Sequence, residues 1–251
     1  MQRGFAIFLV IILFASCAQQ TQPLTGGPRD SVPPYVKKSI PIMNDTGFVD
    51  NKVVIKFNEY FSLDKIEGEF FSSPPFYPQP KFKISRKKLI VSFKDKLKDS
   101  VTYRLEFGNA IADFNEKNVL ENFTFIFSTY SQIDTLQISG QVKDAYTYKP
   151  STNVYVMLYD KYYDSVPAVE IPLYISKTDS SGNFIFYNLK SGAYKIFALH
   201  DLNKNFIFDK DEKDIAFLDT LIKPYAKLKT TYDTLDSGTV ITRLFNDSLF
   251  T

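Results

Sequence analysis

The stretch HDLNKNFIFDKDEKD, residues 200–214, places Asp201, Asn203, Asn205, Asp209 and Glu212 at positions 1, 3, 5, 9 and 12 of one loop. This is the spacing by which a short turn converges hard oxygen donors on a calcium ion, with the last carboxylate often binding through both oxygens. In such a loop Ile207 would add its backbone carbonyl. One departure concerns position 6, where glycine normally makes the sharp turn. Phe206 stands there, and a bulky residue is disfavoured at positive φ, so the loop is expected to turn another way. Lys204, Lys210 and Lys213 also dilute the local negative charge. The competing expectation is a polar turn in which Asp and Asn side chains cap their own backbone. A second stretch, ADFNEKN at 112–118, offers only Asp113, Asn115 and Glu116 and reads as a turn. His200 is the chain's single histidine, and with no second histidine beside it and no nearby cysteine it makes no zinc site.

Other chemistry is sparse. The chain has no G-x-S-x-G, no H-E-x-x-H and no glycine loop that would cradle phosphate. A carboxylate pair of the kind a glycan hydrolase uses is defined by distance in space and not by sequence, so that class stays as the weaker alternative. The chain is expected not to be an enzyme. Two surfaces could bind instead. In YDKYYDSVPAVEIPLY, residues 159–174, Tyr162, Tyr163 and Tyr174 offer flat faces and hydroxyls to a sugar or a protein partner, unless the loop folds over its own domain. Lys81, Lys83, Arg86, Lys87, Lys88 and Lys94 cluster around one hairpin, which could face acidic glycans or lipid headgroups or be a solvated edge that resists aggregation. A net charge of +2 argues against a polyanion partner, nucleic acid included.

The elements that position these residues are short strands. Phe and Tyr are abundant, 24 and 16, and fall in alternating runs bounded by turn residues. KVVIKF (52–57), KFKIS (81–85), KLIVSF (88–93), VTYRLEFG (101–108) and FTFIFST (123–129) form a first series. LQISGQVKD (136–144), NVYVMLYD (153–160), EIPLYISKTD (170–179), NFIFYNL (183–189) and AYKIFALHD (193–201) form a second, followed by DIAFLDTLIKP and GTVITRLF. Arg86-Lys87 is expected to turn one hairpin, and Asp179–Gly182 another, with Gly182 at positive φ. SSPPFYPQP (72–80) lacks the donors of a central strand. The expected fold is all-β: two tandem Ig-like or transthyretin-like β-sandwiches, divided near residues 130–134.

The N-terminus reads as an export signal. MQRGFAIFLVIILFASC has Arg3, an apolar run from Phe5 to Phe14, and small residues before Cys17. Such a run makes only about 15 Å of helix, too short for a lasting span. Phe-Ala-Ser-Cys resembles a bacterial lipobox, which implies a signal peptide at 1–16 and a lipid on Cys17. Residues 17–34 then form a flexible tether rich in Gln, Pro and Gly. Cys17 is the only cysteine, so neither sandwich holds a disulfide.

Family resemblance follows from longer stretches. SIP, KVVIKFNEYFSL, LKDSVTYRLEFGNAIADFNEKN and FIFST, within 39–129, resemble the bacterial Ig-like domain of S-layer proteins. ISGQVKDAYTYKPSTNVYVMLYD and KTDSSGNFIFYNLKSGAYKIFALHD, within 137–201, resemble the carboxypeptidase-regulatory, transthyretin-like sandwich. The whole chain looks like a family of Bacteroidota lipoproteins with this order: an Ig-like domain over 35–130, a regulatory-like domain with the acidic loop over 134–222, and a strand extension over 223–251 that the family pattern would continue. The resemblance implies a lipid-anchored, non-enzymatic envelope protein of the outer membrane serving as scaffold, spacer or binding module. An unidentified envelope protein or glycan would be its partner, and calcium its one candidate cofactor. The alternative is an accessory subunit of a transport or assembly complex. Ala18–Gln22 carries no acidic residue, which favours the periplasmic face. Recurrent Asp-Ser/Thr-aliphatic triplets resemble the acceptor for O-glycosylation in that phylum, with Ser31, Ser100, Thr135, Ser165, Thr220, Thr234 and Ser248 as acceptors.

Overall fold

The computed structural model describes residues 29–209, 214–226, 228–234 and 240–246. All its strands lie in one compact unit, Pro33–Thr251, which contains each hydrophobic core and so has what it needs to fold without the first 32 residues.

The first half runs β1 (Val36–Ile40), β2 (Lys52–Phe57), β3 (Phe61–Leu63), a single turn α1 (Ile66–Glu69), β4 (Phe71–Ser73), β5 (Lys81–Ser85), β6 (Lys88–Ser92), β7 (Thr102–Gly108), β8 (Ile111–Asp113) and β9 (Phe123–Ser128). One sheet has the order β1-β2-β6-β5 and the facing sheet β4-β7-β9, with β3 and β8 pairing beside them. Alternation drives the packing. Val53, Ile55 and Phe57 of β2 point inward and are fully buried, as are Leu105 and Phe107 of β7 and Phe125 and Phe127 of β9. The core is strongly aromatic: Phe76 stacks between Phe93, at 4.4 Å, and Tyr103, at 5.2 Å, while Phe57 and Phe61 meet at 4.6 Å. Arg86 takes φ 56 in the β5–β6 turn.

The second half runs β10 (Leu136–Gln141), β11 (Tyr155–Tyr159), a single turn α2 (Val166–Val169), β12 (Tyr174–Lys177), β13 (Asn183–Leu189), β14 (Lys195–Leu199), β15 (Ile215–Phe217), β16 (Leu228–Thr234) and β17 (Val240–Asn246). A β10-β13 ladder packs on the sheet β12-β11-β14-β15, and β16 and β17 pair with each other. Gly182 adopts φ 72, and the Asp179 carboxylate accepts the N–H groups of Ser181 and Asn183 at 2.8 and 2.9 Å. Those bonds hold the Asp179 carboxyl below its ordinary value.

β11 and β14 are buried along their whole length. Both faces of this sheet are covered, which is why NVYVMLYD reads as a nearly continuous apolar run rather than an alternating one. Val156, Leu158 and Ile196 face the sandwich interior. Tyr155, Met157, Phe197 and Leu199 face a second core, closed by Val166, by Phe206 and by Phe71 of the first sandwich.

The two sandwiches are therefore docked. The edge strands β4 and β12 meet, and Ser73 Oγ accepts from the Ile175 N–H at 3.2 Å where a ladder bond would otherwise lie. The Arg104 guanidinium sits 4.7 Å from the centre of the Tyr187 ring. Thr102 Oγ1 donates to the Asp134 carboxylate and accepts the Asp134 N–H, each at 2.9 Å. Asn188 Nδ2 donates to the Asp134 carbonyl at 2.8 Å, from the other sandwich.

Candidate functional site

The acidic loop follows β14 and turns sharply. Asp201 is buried, and its carboxylate accepts the N–H of Lys204 at 2.6 Å and that of Phe206 at 2.8 Å. Asn203 Oδ1 accepts the Asn205 N–H at 2.9 Å, and Asn205 Oδ1 the Ile207 N–H at 2.8 Å. Both side-chain amides then donate to one oxygen of Asp209, each at 2.8 Å. The structure thus brings together Asp201, Asn203, Asn205 and Asp209. Glu212 lies outside the described residues.

The turn corrects the expectation drawn from Phe206. That residue does adopt the left-handed conformation a glycine would take, at φ 60, and Lys204 does likewise at φ 58. The strain is tolerated because the Phe206 ring is 2 % exposed and packs edge-to-face on Tyr155 at 5.6 Å. Burial of the side chain outweighs a left-handed penalty of about 1–2 kcal/mol.

Burial also lifts the Asp201 carboxyl above its ordinary value, and the backbone N–H bonds only partly offset that. The native state therefore holds this proton more tightly than the unfolded chain does. Stability falls as pH rises from the ordinary carboxylate range through the raised value. A bound cation would favour the charged form and oppose that loss.

The loop touches both sandwiches. Lys204 Nζ donates to the Glu67 carbonyl at the α1 turn of the first. The Phe208 N–H donates to the Pro167 carbonyl at 2.7 Å, in the tyrosine-bearing segment.

That segment is folded back on its own sandwich. The Tyr162 hydroxyl donates to the Ala193 carbonyl at 3.3 Å and the Tyr163 hydroxyl to Glu170 at 2.9 Å, while Lys195 pairs with Asp164 from below. Tyr162 and Tyr163 keep exposed faces, but Tyr174 is 3 % exposed and packs edge-to-face on Tyr194 at 5.8 Å. Tyr174 is a core residue and not a contact residue. It alternates on β12 with Ile175, and both faces of that strand are covered.

Asp113 is also a turn residue: its carboxylate accepts the N–H groups of Asn115 and Glu116 at 3.1 and 2.8 Å. His200 is exposed. Ser31, Thr135, Ser165 and Thr220 are exposed and Ser100 half-buried. Cys17, Ser248 and the side chain of Thr234 lie outside the described residues. Among the described residues, no three His, Cys, Asp or Glu side chains converge as a metal cluster. Asn203 and Asn205 are two of the four side chains that the described part of the loop brings together.

A search of curated proteins found none that matches. Among solved structures, the N-terminal part of the bacterial S-layer protein SbsC is 16% identical with a TM-score of 0.27, over 74% of this chain and 44% of that one. The T6 backbone pilin of serotype M6 Streptococcus pyogenes is 12% identical with a TM-score of 0.23, over 83% of this chain and 60% of that one. The Bacillus cereus major pilin BcpA is 14% identical with a TM-score of 0.21, over 84% and 64%. The chain spans less than half the length of the S-layer structures, 44% and 33% for two of them. Residues 30–129 match the bacterial Ig-like domain family, and the first sandwich of this all-β chain carries that fold.

Proposed function

We propose that this chain is a non-enzymatic structural protein of the bacterial cell envelope. In this reading it is a two-sandwich spacer held to the outer membrane by a lipid on Cys17, with the second sandwich of the carboxypeptidase-regulatory type. The observation that supports the spacer reading best is the docked joint. Tandem domains move relative to one another by default unless an extensive interface holds them. Here Phe71 closes a core of the second sandwich, and Asp134 is bonded to both. Calorimetry of the unit Pro33–Thr251 is expected to give one cooperative transition. Phe71→Ala, which removes the ring that the first sandwich's β4 places on the second sandwich's core, should split it into two. Two independent transitions in the unsubstituted protein would refute the rigid spacer.

A further part of the proposal is that the loop at 201–212 takes calcium and stiffens this joint. Asp201, Asn203, Asn205 and Asp209 present only oxygen acceptors and amides, a hard donor set suited to calcium. At about a hundredfold excess over Kd, a native-state ligand stabilises by about 2.7 kcal/mol. For a unit of this size that raises the melting temperature by roughly five to ten degrees. The rise should vanish with chelator and in Asp201→Ala. No rise at millimolar calcium would reduce the loop to a polar turn.

A further inference from the structure

The lysines of the first sandwich are not confined to one hairpin. Pairing registers gather them across a whole sheet face. Lys38 lies opposite Lys56, and Lys56 opposite Lys88, so three ammonium groups form one row across β1, β2 and β6. The next row is aliphatic, Ile40, Val54 and Ile90, and Lys83 extends it on β5. Beyond it, Lys52 and Lys81 both pair with Ser92. All six lysines are exposed, and Ile40 is 58% exposed. The four strands, VKKSI, KVVIKF, KFKIS and KLIVS, contain no acidic residue. The ion pairs among the described residues involve none of these lysines.

Like charges directly opposite one another in a sheet are destabilising, so this row opposes the fold. The chain's net charge is only +2, so the concentration is local and the remaining surface is net acidic.

We propose that the outer face of the β1-β2-β6-β5 sheet docks on a membrane surface of anionic phospholipid. The face is four strands, about 15 Å, across. Lysine rows flank an aliphatic centre, so the ammonium groups reach headgroup phosphates while Ile40, Val54 and Ile90 meet the interfacial region. An acidic polysaccharide would match the charge but gives the exposed Ile40, and the half-buried Val54 and Ile90 beside it, nothing to bury against. The strand β1 directly follows the tether in sequence, which suits a face kept close to an anchoring membrane. The inference deepens the envelope reading above, but its test does not use the anchor.

The test is co-sedimentation of the unacylated unit Pro33–Thr251 with vesicles of phosphatidylcholine alone or with about 30 mol % phosphatidylglycerol. Binding is expected only to the anionic vesicles, and it should disappear as salt reaches about 0.5 M. Substituting Lys38→Gln, Lys56→Gln and Lys88→Gln together should weaken it on the order of a hundredfold. The same variant should melt no lower than the parent, because it relieves cross-strand repulsion. The control, Lys143→Gln with Lys149→Gln and Lys223→Gln, removes equal charge from exposed positions elsewhere and should bind as the parent does. Equal loss in the control would overturn the assignment to this face. Binding to dextran sulfate without binding to anionic vesicles would overturn the lipid and assign the face to an acidic polymer. Whether Cys17 anchors the chain is read separately, by fractionating cells that carry Cys17→Ser.

Discussion

Replacing Phe127 by alanine is expected to destabilise the first sandwich by about 3–5 kcal/mol, the usual cost of deleting a fully buried phenylalanine. Phe127 is 0% exposed and stands where the aromatic contacts of the core converge. Its ring stacks on Tyr103 at 5.4 Å, meets Phe48 edge-on at 5.1 Å, and lies 6.2 and 6.5 Å from Phe93 and Phe125. Each such pair adds roughly 0.5–1.5 kcal/mol beyond area burial, and the rigid rings around the void cannot collapse to fill it. In a melt the midpoint should fall by roughly six to twenty degrees. Phe127→Leu, which keeps most of the volume, should recover more than half of the loss. A fall of less than two degrees for the alanine variant would mean that these rings do not form one continuous core.

Position 206 reverses a common order. At most buried positions alanine is tolerated better than glycine, but at residue 206 glycine should be the better of the two by about 0.5–1 kcal/mol. Either substitution removes the ring from beneath Tyr155 and costs about 3–5 kcal/mol. Alanine keeps the left-handed penalty at φ 60, whereas glycine has none. Denaturation midpoints of Phe206→Ala and Phe206→Gly decide it, read alongside calcium binding. The glycine variant restores the residue that a calcium loop normally carries at this turn, so it should bind at least as well as the parent. An alanine variant as stable as the glycine variant would show that the loop relaxes out of its left-handed turn once the ring is gone.

Strands with one covered face were legible in the sequence, because alternation is a local signal. KVVIKF, KFKIS and NFIFYNL were read with the boundaries the structure gives. Short strands that exist only through their partners were not: β3, β4 and β8 have three residues each, too few for a period to show. DIAFLDTLIKP was read as one strand, yet only Ile215–Phe217 is one, and Ile222 bridges to Tyr194 after a break. The four loop residues Asp201, Asn203, Asn205 and Asp209 were picked out by spacing alone. What spacing left open was how the chain pays for a phenylalanine at the turn, since the ring of Tyr155 that receives it lies 51 residues earlier on β11. Tyr174 was misplaced for a related reason. An aromatic in a loop-like stretch gives no sign that the opposite face of its strand is covered. The lysine face was half visible, because β5 and β6 are joined by a turn and β1 and β2 are not.

The bonding of Asp134 has a mechanical consequence. A linker between two bodies ordinarily serves as a swivel, absorbing torque so that each body orients freely. Here the connecting residue is gripped on one side by Thr102 and on the other by Asn188, and the edges beside it are occupied. Rotation at that point must break the bonds to one body or the other, so little of it can be taken up locally. If the two move together as the spacer proposed above, the pair behaves as a lever. Whatever fixes the angle of the first sandwich against a surface also sets the direction in which the far end of the second one points.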